Sequence, residues 1–146
     1  MSVNYIPTGF HTVTPYLVVE GAARLIEFLK QAFGAEVILH MPMPDGKVAH
    51  AEVRIGDSPI EISDASPQYP ARSAMLHLYV PDCDAVYQRA LDVGATSVRP
   101  LKDEFYGDRT GGVQDPCGNQ WFIATHKVDM TQEELQRKMA EMSVAA

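Results

Sequence analysis

Cysteine, clustered positive charge, long apolar runs and tryptophan are all scarce in this chain of 146 residues, and the first three scarcities each remove a class of protein. Its two cysteines, Cys83 and Cys117, are too few and too scattered for a disulfide framework or a zinc knuckle. Both are therefore expected as thiols that serve in packing. Twelve Lys and Arg against nineteen Asp and Glu give a formal charge of -7, with no basic run to make a local exception. Such a surface repels phosphate backbones, which excludes nucleic acid as a partner. No apolar run approaches the roughly 18 residues that cross a bilayer, which excludes a membrane-spanning helix. The opening MSVNYIPTGF lacks the basic and apolar regions of a secretory signal, so the expected location is cytoplasmic. No Ser-His-Asp order, phosphate-cradling glycine loop or low-complexity stretch stands out, and nothing marks a Ser or Cys as a nucleophile.

What the chain does contain is a repeated unit that accounts for its length as one domain. The apolar segment TPYLVV, starting at Thr14, leads into GAARLIEFLKQAFGAEVI. There Leu25, Ile26, Phe28, Leu29, Ala32 and Phe33 recur at helical spacing, and Gly34 stops the helix. MLHLYV, from Met75 to Val80, leads likewise into PDCDAVYQRALDVGATSV, with Ala85, Val86, Ala90, Leu91 and Val93 in the same rhythm and Gly94 as the stop. Asp82 or Asp84 suits the cap of the second helix, whereas the first opens on the weaker Glu20-Gly21 signal. After each helix, strand segments end in a hairpin. VAHAEVRI turns at Gly56-Asp57-Ser58 and returns as PIEIS; GGVQ turns at Asp115-Pro116-Cys117-Gly118-Asn119 and returns as QWFIAT.

Each unit therefore reads β-α-β-β-β. One face of such a sheet is covered by its helix and the other is open, so two units pair to enclose a hollow. The expected fold is α+β: two βαβββ modules forming a curved mixed sheet around a cleft, plus a C-terminal helix. The modules span about residues 11–64 and 74–127, joined by a Pro-, Ser- and Ala-rich linker over 65–73. The final helix, over about 131–143, opens on Thr131-Gln132-Glu133-Glu134, a capping box. Leu135, Met139 and Met142 share one face of it, an apolar stripe that needs this chain's own sheet or a second subunit as cover.

Strand alternation places Leu17, Val19, Ile60, Ile62, Leu76, Leu78, Val80, Trp121 and Ile123 beneath the helices. The opposite side becomes Tyr16, Glu61, Ser63, His77, Tyr79 and Phe122, aromatic surface with a few polar groups that can orient a ligand. Glu61 and His77 are the candidate acid-base pair, and no catalytic residue is assigned beyond them. Arg109, in the glycine-flanked FYGDRTGG, offers a guanidinium either to an anionic or carbonyl ligand or to a structural carboxylate. The Asp115 to Asn119 turn has a conformational role first, and Trp121 reads as core. His11 has the wrong parity to join Thr14 unless a bulge intervenes, and His40 and His126, near strand ends, are expected to be solvated.

These segments carry a family resemblance. The doubled unit ending in DPCGNQW resembles the vicinal oxygen chelate superfamily of glyoxalases, bleomycin resistance proteins and dioxygenases. TPYLVV, AFGAEV, HLYVPDCDAV, YGDRTGGVQDPCGNQWFIATH and the capped tail resemble its PhnB-like branch, over nearly the whole chain from about Thr12. Metal-using members place a His, Gln or Glu on the cleft side of each of four strands, which carries over to Thr14, Glu61, Met75 and Phe122. One carboxylate falls far short of the ligands a divalent ion needs, so no metal cofactor is expected. A shifted set of Glu61, His77 and His50, with Glu52 beside it, is the alternative that keeps a divalent metal in view. The resemblance further implies a homodimer, which would also bury the amphipathic tail. The leading expectation is a metal-independent protein that binds a small apolar or aromatic molecule in its cleft, as bleomycin-resistance members do. The alternative is a metal-dependent lyase, isomerase or dioxygenase of the glyoxalase type built on the shifted set. This scaffold hosts both, so neither catalysis nor the ligand follows from the fold.

Overall fold

The period-two and helical patterns are realised in a computed structural model that describes residues 2–145, with side chains through residue 144. The first module comprises β1 (Tyr16–Val19), α1 (Ala22–Phe33), β2 (Glu36–Pro42), β3 (Val48–Ile55) and β4 (Ser58–Asp64). The second comprises β5 (Met75–Tyr79), α2 (Cys83–Asp92), β6 (Thr96–Asp103), β7 (Asp108–Gln114) and β8 (Gln120–His126), followed by α3 (Gln132–Ala145). The fold is α+β, with strand orders β1-β4-β3-β2 and β5-β8-β7-β6. In each sheet the first strand lies parallel to the last and the other pairings are antiparallel, so both sheets are mixed.

Helix α1 buries the face that its spacing specifies, with Leu25, Ile26, Phe28, Leu29 and Ala32 inside. On α2 the buried residues are Cys83, Tyr87 and Ala90; of the spaced set Val86, Leu91 and Val93 are only partly buried and Ala85 is exposed, so the inward face is turned toward Cys83 and Tyr87. The two helices pack on one another, and a single apolar core runs through both modules. Phe33 meets Trp121 across the boundary with ring centroids 5.1 Å apart, and Arg89 Nε donates to the carbonyl of Ala32 at 2.9 Å. Leu17, Val19, Ile60, Ile62, Trp121 and Ile123 are all buried in this core, as alternation required. Leu76 and Leu78 of β5, and Val80 just after it, are only partly buried.

Caps and turns fix the ends. Asp82 accepts from the Ala85 N–H at 3.1 Å and starts α2. Gly34 ends α1 in the left-handed region, φ 69°, where its N–H returns to the Lys30 carbonyl. The start of α1 differs from expectation. Gly21 contributes no side chain, and the cap comes from Asp64 at the end of β4. One oxygen of Asp64 accepts from Gly21 N (2.9 Å) and Ala22 N (3.0 Å), and the other accepts from Val48 N (2.7 Å). A residue at the border of the linker thus joins the starts of α1 and β3 to the end of β4. In the second module Asp115 does similar work. Its oxygens accept from Cys117 N, Asn119 N, the Asn119 amide and, at 2.8 Å, the indole N–H of buried Trp121. The DPCGNQW stretch therefore holds a hairpin against the core.

At the C-terminal end, Thr131 Oγ1 accepts from Glu134 N at 3.1 Å, the bond the capping box predicts. Met139 and Met142 remain 57% and 51% exposed, so this chain's own sheets leave the apolar stripe of α3 uncovered.

Burial alone would raise the carboxyl pKa of Asp64, but the backbone N–H groups of Val48, Ala22 and Gly21 outweigh it and hold the pKa below the ordinary aspartate range. Replacing Asp64 with Ala is expected to cost about 2–3 kcal/mol in urea unfolding at neutral pH. A depressed folded pKa gives stability that is complete above the unfolded value and is lost as pH falls through the folded one. The difference between wild type and Asp64→Ala should therefore shrink below about pH 4. A difference that persists unchanged to strong acid would show that the carboxylate charge is not the cause.

Candidate functional site

On the open side of the first sheet the strand register aligns a transverse row. Tyr16 lies opposite Glu61, Glu61 opposite Glu52, and Glu52 opposite Leu39. Two carboxylates directly opposed on neighbouring strands repel unless a cation or donor lies between them. His50 supplies that group: its Nε2 is 3.2 Å from Glu52 Oε2 and 3.7 Å from Glu61 Oε1. Its Nδ1 is 3.1 Å from the Tyr16 hydroxyl. With Nε2–H donating to Glu52, the bare Nδ1 accepts from Tyr16; in the imidazolium both nitrogens donate. The result is a hydrogen-bonded chain Tyr16–His50–Glu52 with Glu61 alongside. Donor atoms of His50, Glu52 and Glu61 lie mutually within 4.8 Å. A cavity of about 520 Å³ opens over the two carboxylates, walled by N-terminal residues that include Tyr5, Phe10 and Thr14.

The open side of the second sheet carries His77, Tyr79 and Phe122. His77 pairs in register with Phe122 and stacks on Tyr79, ring centroids 4.7 Å apart. The Phe122 ring lies over Gly112, where a Cβ would come within 2.8 Å of it, so glycine is required there for the ring to lie flat on the sheet. The Tyr79 hydroxyl donates to Asp108 at 3.1 Å; burial, then this carboxylate, raise the tyrosine pKa. Asp108 is 5% exposed and also meets His126 Nδ1 at 2.6 Å, while His126 Nε2 meets Asp129 at 2.7 Å. His126 is solvated at the end of β8, as expected, and is also held between two carboxylates.

Two larger cavities connect these faces. One, of about 980 Å³, follows the seam between the free edges of β1 and β5 and is lined by Tyr16, His77 and Tyr79 together with Phe33, Leu76 and Trp121. The other, of about 830 Å³, lies between β1, Ser63 and the segment joining the modules. Tyr16, Leu17 and Ala74 line both.

Of the residues singled out from sequence, Tyr16, Ser63, His77 and Tyr79 line these cavities, and Glu61 lines the cavity beyond Tyr16. Three do not join as anticipated. His77 stands on β5 of the other module and is not among the donors clustered around Glu61, where Glu52 takes its place beside His50. Arg109 lies a single position beyond open-side Asp108 on β7, facing α2. Its Nε and a terminal nitrogen fork onto Asp84 at 2.7 and 3.1 Å, which with Asp103 holds it firmly protonated. Of its two readings, the geometry realises the structural pair. Phe122 packs on its own sheet over Gly112. The sequence reading also passed over Tyr69 and Arg72 of the joining segment, which line the 830 Å³ cavity; the free edge of β1, in need of a partner, was the available signal.

The four positions carried over for a family metal are a poor fit to one: Thr14, Met75 and Phe122 supply no suitable donor, leaving Glu61 alone among them. The three-donor group of His50, Glu52 and Glu61 belongs to β3 and β4 of one module.

Hydrogen bonds to Asp108 and then Asp129 raise the His126 pKa. A raised folded pKa gives stability that is fully present below the unfolded value of about 6.5 and is lost as pH rises through the folded one. An NMR titration should place the His126 midpoint above the ordinary histidine value of about 6.5, and Asp129→Asn should lower it. A midpoint at or below that value, unmoved by Asp129→Asn, would show that the bridge does not persist in solution.

Residues 9–123 match the family model described as Glyoxalase/Bleomycin resistance protein/Dioxygenase superfamily. An uncharacterized protein of Mycobacterium tuberculosis is 36% identical over 151 aligned positions, covering 96% of this chain and 86% of its own. TioX from Micromonospora sp. ML1 superposes with a TM-score of 0.65 at 23% identity, over 78% of this chain and 98% of that one. A PhnB protein from Bacillus cereus, described as a putative 3-demethylubiquinone-9 3-methyltransferase, gives 0.61 at 18% identity, over 79% and 99%. With the doubled βαβββ fold in place, the chain belongs to the glyoxalase/bleomycin resistance protein/dioxygenase superfamily.

Proposed function

We propose that this protein binds a small apolar or aromatic molecule along the β1–β5 seam, without a metal ion, as the bleomycin-resistance members of its family do. The supporting observation is the adjacent pair of cavities of about 980 and 830 Å³, which share Tyr16, Leu17 and Ala74 and are lined chiefly by aromatic and aliphatic side chains and a few polar groups. Apolar area in such a cavity supplies the affinity, while His77, Ser63 and the Tyr16 hydroxyl orient the ligand. This reading takes the protein as a member of the PhnB-like branch, with support from the PhnB-like segments of its sequence and the fold likeness to the Bacillus cereus protein.

The same reading takes the protein as a homodimer. Its support is uncovered apolar surface: Met139 and Met142 on α3, and Val37, Ile38, Leu39 and Met41 along β2, an edge strand. Sedimentation equilibrium is expected to give a dimer that Met139→Glu with Met142→Glu weakens. A wild-type monomer at high concentration would refute the pairing.

A second reading, a metal-dependent lyase, isomerase or dioxygenase, is favoured by one observation, the His50, Glu52 and Glu61 cluster. Metal bonds of about 2.1 Å set neighbouring ligand atoms roughly 3.0–3.5 Å apart. The distances of 3.2 and 3.7 Å are close to that, with Tyr16 behind His50 as an outer partner. The readings separate by metal retention. The chain is incubated with Ni, Zn, Mn or Fe, freed of excess, and assayed for metal per chain. No retention, together with saturable binding of a neutral aromatic such as 1-naphthamide, is the expected result. Stoichiometric retention that Glu61→Gln abolishes would instead establish the enzyme reading.

A further inference from the structure

The segment between the modules does more than join them. Ala65 N donates to the Val19 carbonyl at 2.8 Å, continuing the β4–β1 ladder, and Arg72 N donates to the Val18 carbonyl at 3.0 Å on the free edge, so the two ends of the loop are bonded to opposite sides of β1. Its tip closes on itself through Ser66 N to the Tyr69 carbonyl (2.9 Å) and Tyr69 N to Ser66 Oγ (3.1 Å). Pro67 and Pro70 restrict it further. The loop is thereby a strap with fixed ends, and the 830 Å³ cavity lies between it and the open face at Tyr16, Val18 and Ser63.

The charge around this cavity is unusual for a chain with a formal charge of -7. Among the described residues, Arg72 is the charged residue lining it and no carboxylate lines it. Arg24, Arg54, Arg89, Arg99 and Arg109 each donate to a protein oxygen. Among the described residues, the guanidinium groups of Arg72 and of Arg137 on α3 have no such partner and no ion pair, and of these two Arg72 lines a cavity. Tyr16 and Tyr69 add two aromatic side chains to the walls, and Ser63 and Gln68 add neutral donors. A planar fork of N–H donors in an acid-free, half-enclosed aromatic site is suited to a carboxylate carried on an aromatic ring.

We propose that the cavity under the 65–74 strap is the subsite for the anionic end of the ligand, an aromatic carboxylate, with Arg72 as its counter-charge and Tyr16 and Tyr69 as the surfaces its ring packs on. The inference rests on the cleft-binding reading and narrows its ligand class. The ring system continues past Tyr16 into the seam cavity, which shares that residue, while the carboxylate stays under the strap.

The test compares 1-naphthoate with its neutral amide, 1-naphthamide, by calorimetric titration of the full chain. The proteins are wild type, Arg72→Gln, Arg72→Lys and, as a control for net charge, Arg137→Gln on α3. Circular dichroism checks that each variant is folded. Wild type should bind the carboxylate about tenfold tighter than the amide, the margin expected of one charge-assisted contact. Arg72→Gln should erase that preference by weakening carboxylate binding more than amide binding, Arg72→Lys should retain part of it, and Arg137→Gln should leave it intact. If wild type binds both compounds equally, or keeps its preference without Arg72, the subsite is refuted while cleft binding stands. If neither compound binds at about 1 mM, both the subsite and the cleft-binding reading fall.

Discussion

A four-stranded sheet with one helix can bury only one of its faces, and this limit governs the molecule. Here α1 and α2 pack against each other and the helix-side residues of both sheets merge into one core around Leu25, Leu29, Ile62, Trp121 and Ile123. Their other faces are left with His50, Glu52, Glu61, His77 and Tyr79, residue types with no reason to be in a core. Because β1 and β5 are edge strands, the modules meet along a seam with room beside it. The cavities are thus a consequence of how the repeat was paired, and the side chains around them decide their use.

The carboxylates that hold turns and those on the open side differ in what satisfies them. A carboxylate withdrawn from water costs several kcal/mol unless hydrogen bonds replace its hydration. Asp64 and Asp115 receive theirs from backbone N–H groups, with an indole and an amide added at Asp115, and they hold turns and helix starts in place. Glu52, Glu61 and Asp108 instead face imidazoles, His50 in the first module and His126 in the second.

Much of this was legible from residue order. Tight hairpins fix register, so counting outward from Gly56-Asp57 pairs Glu52 with Glu61, and counting from the Asp115 turn pairs Asp108 with His126. Alternation sorted the faces of β1, β4 and β8 because those strands are regular. It put His77 on the same side as Glu61 but carried no distance, since the two lie in different sheets. Arg109 was read in a loop, whereas β7 extends to Asp108, and alternation then turns Arg109 toward α2. The segment after Asp64 looked like a spacer because Pro and Ser are poor strand formers. Its attachment to β1 depends on backbone N–H groups, which leave no mark on side-chain pattern.

The claim that the seam and the strap form one binding space is tested most directly by following backbone amide shifts of the isotope-labelled chain during titration with 1-naphthoate. Saturable shifts concentrated on Tyr16, Ser63, Tyr69, Arg72, His77 and Tyr79 are predicted. Shifts confined to α3 or to the outer surfaces of α1 and α2, or no saturable shift at all, would contradict it.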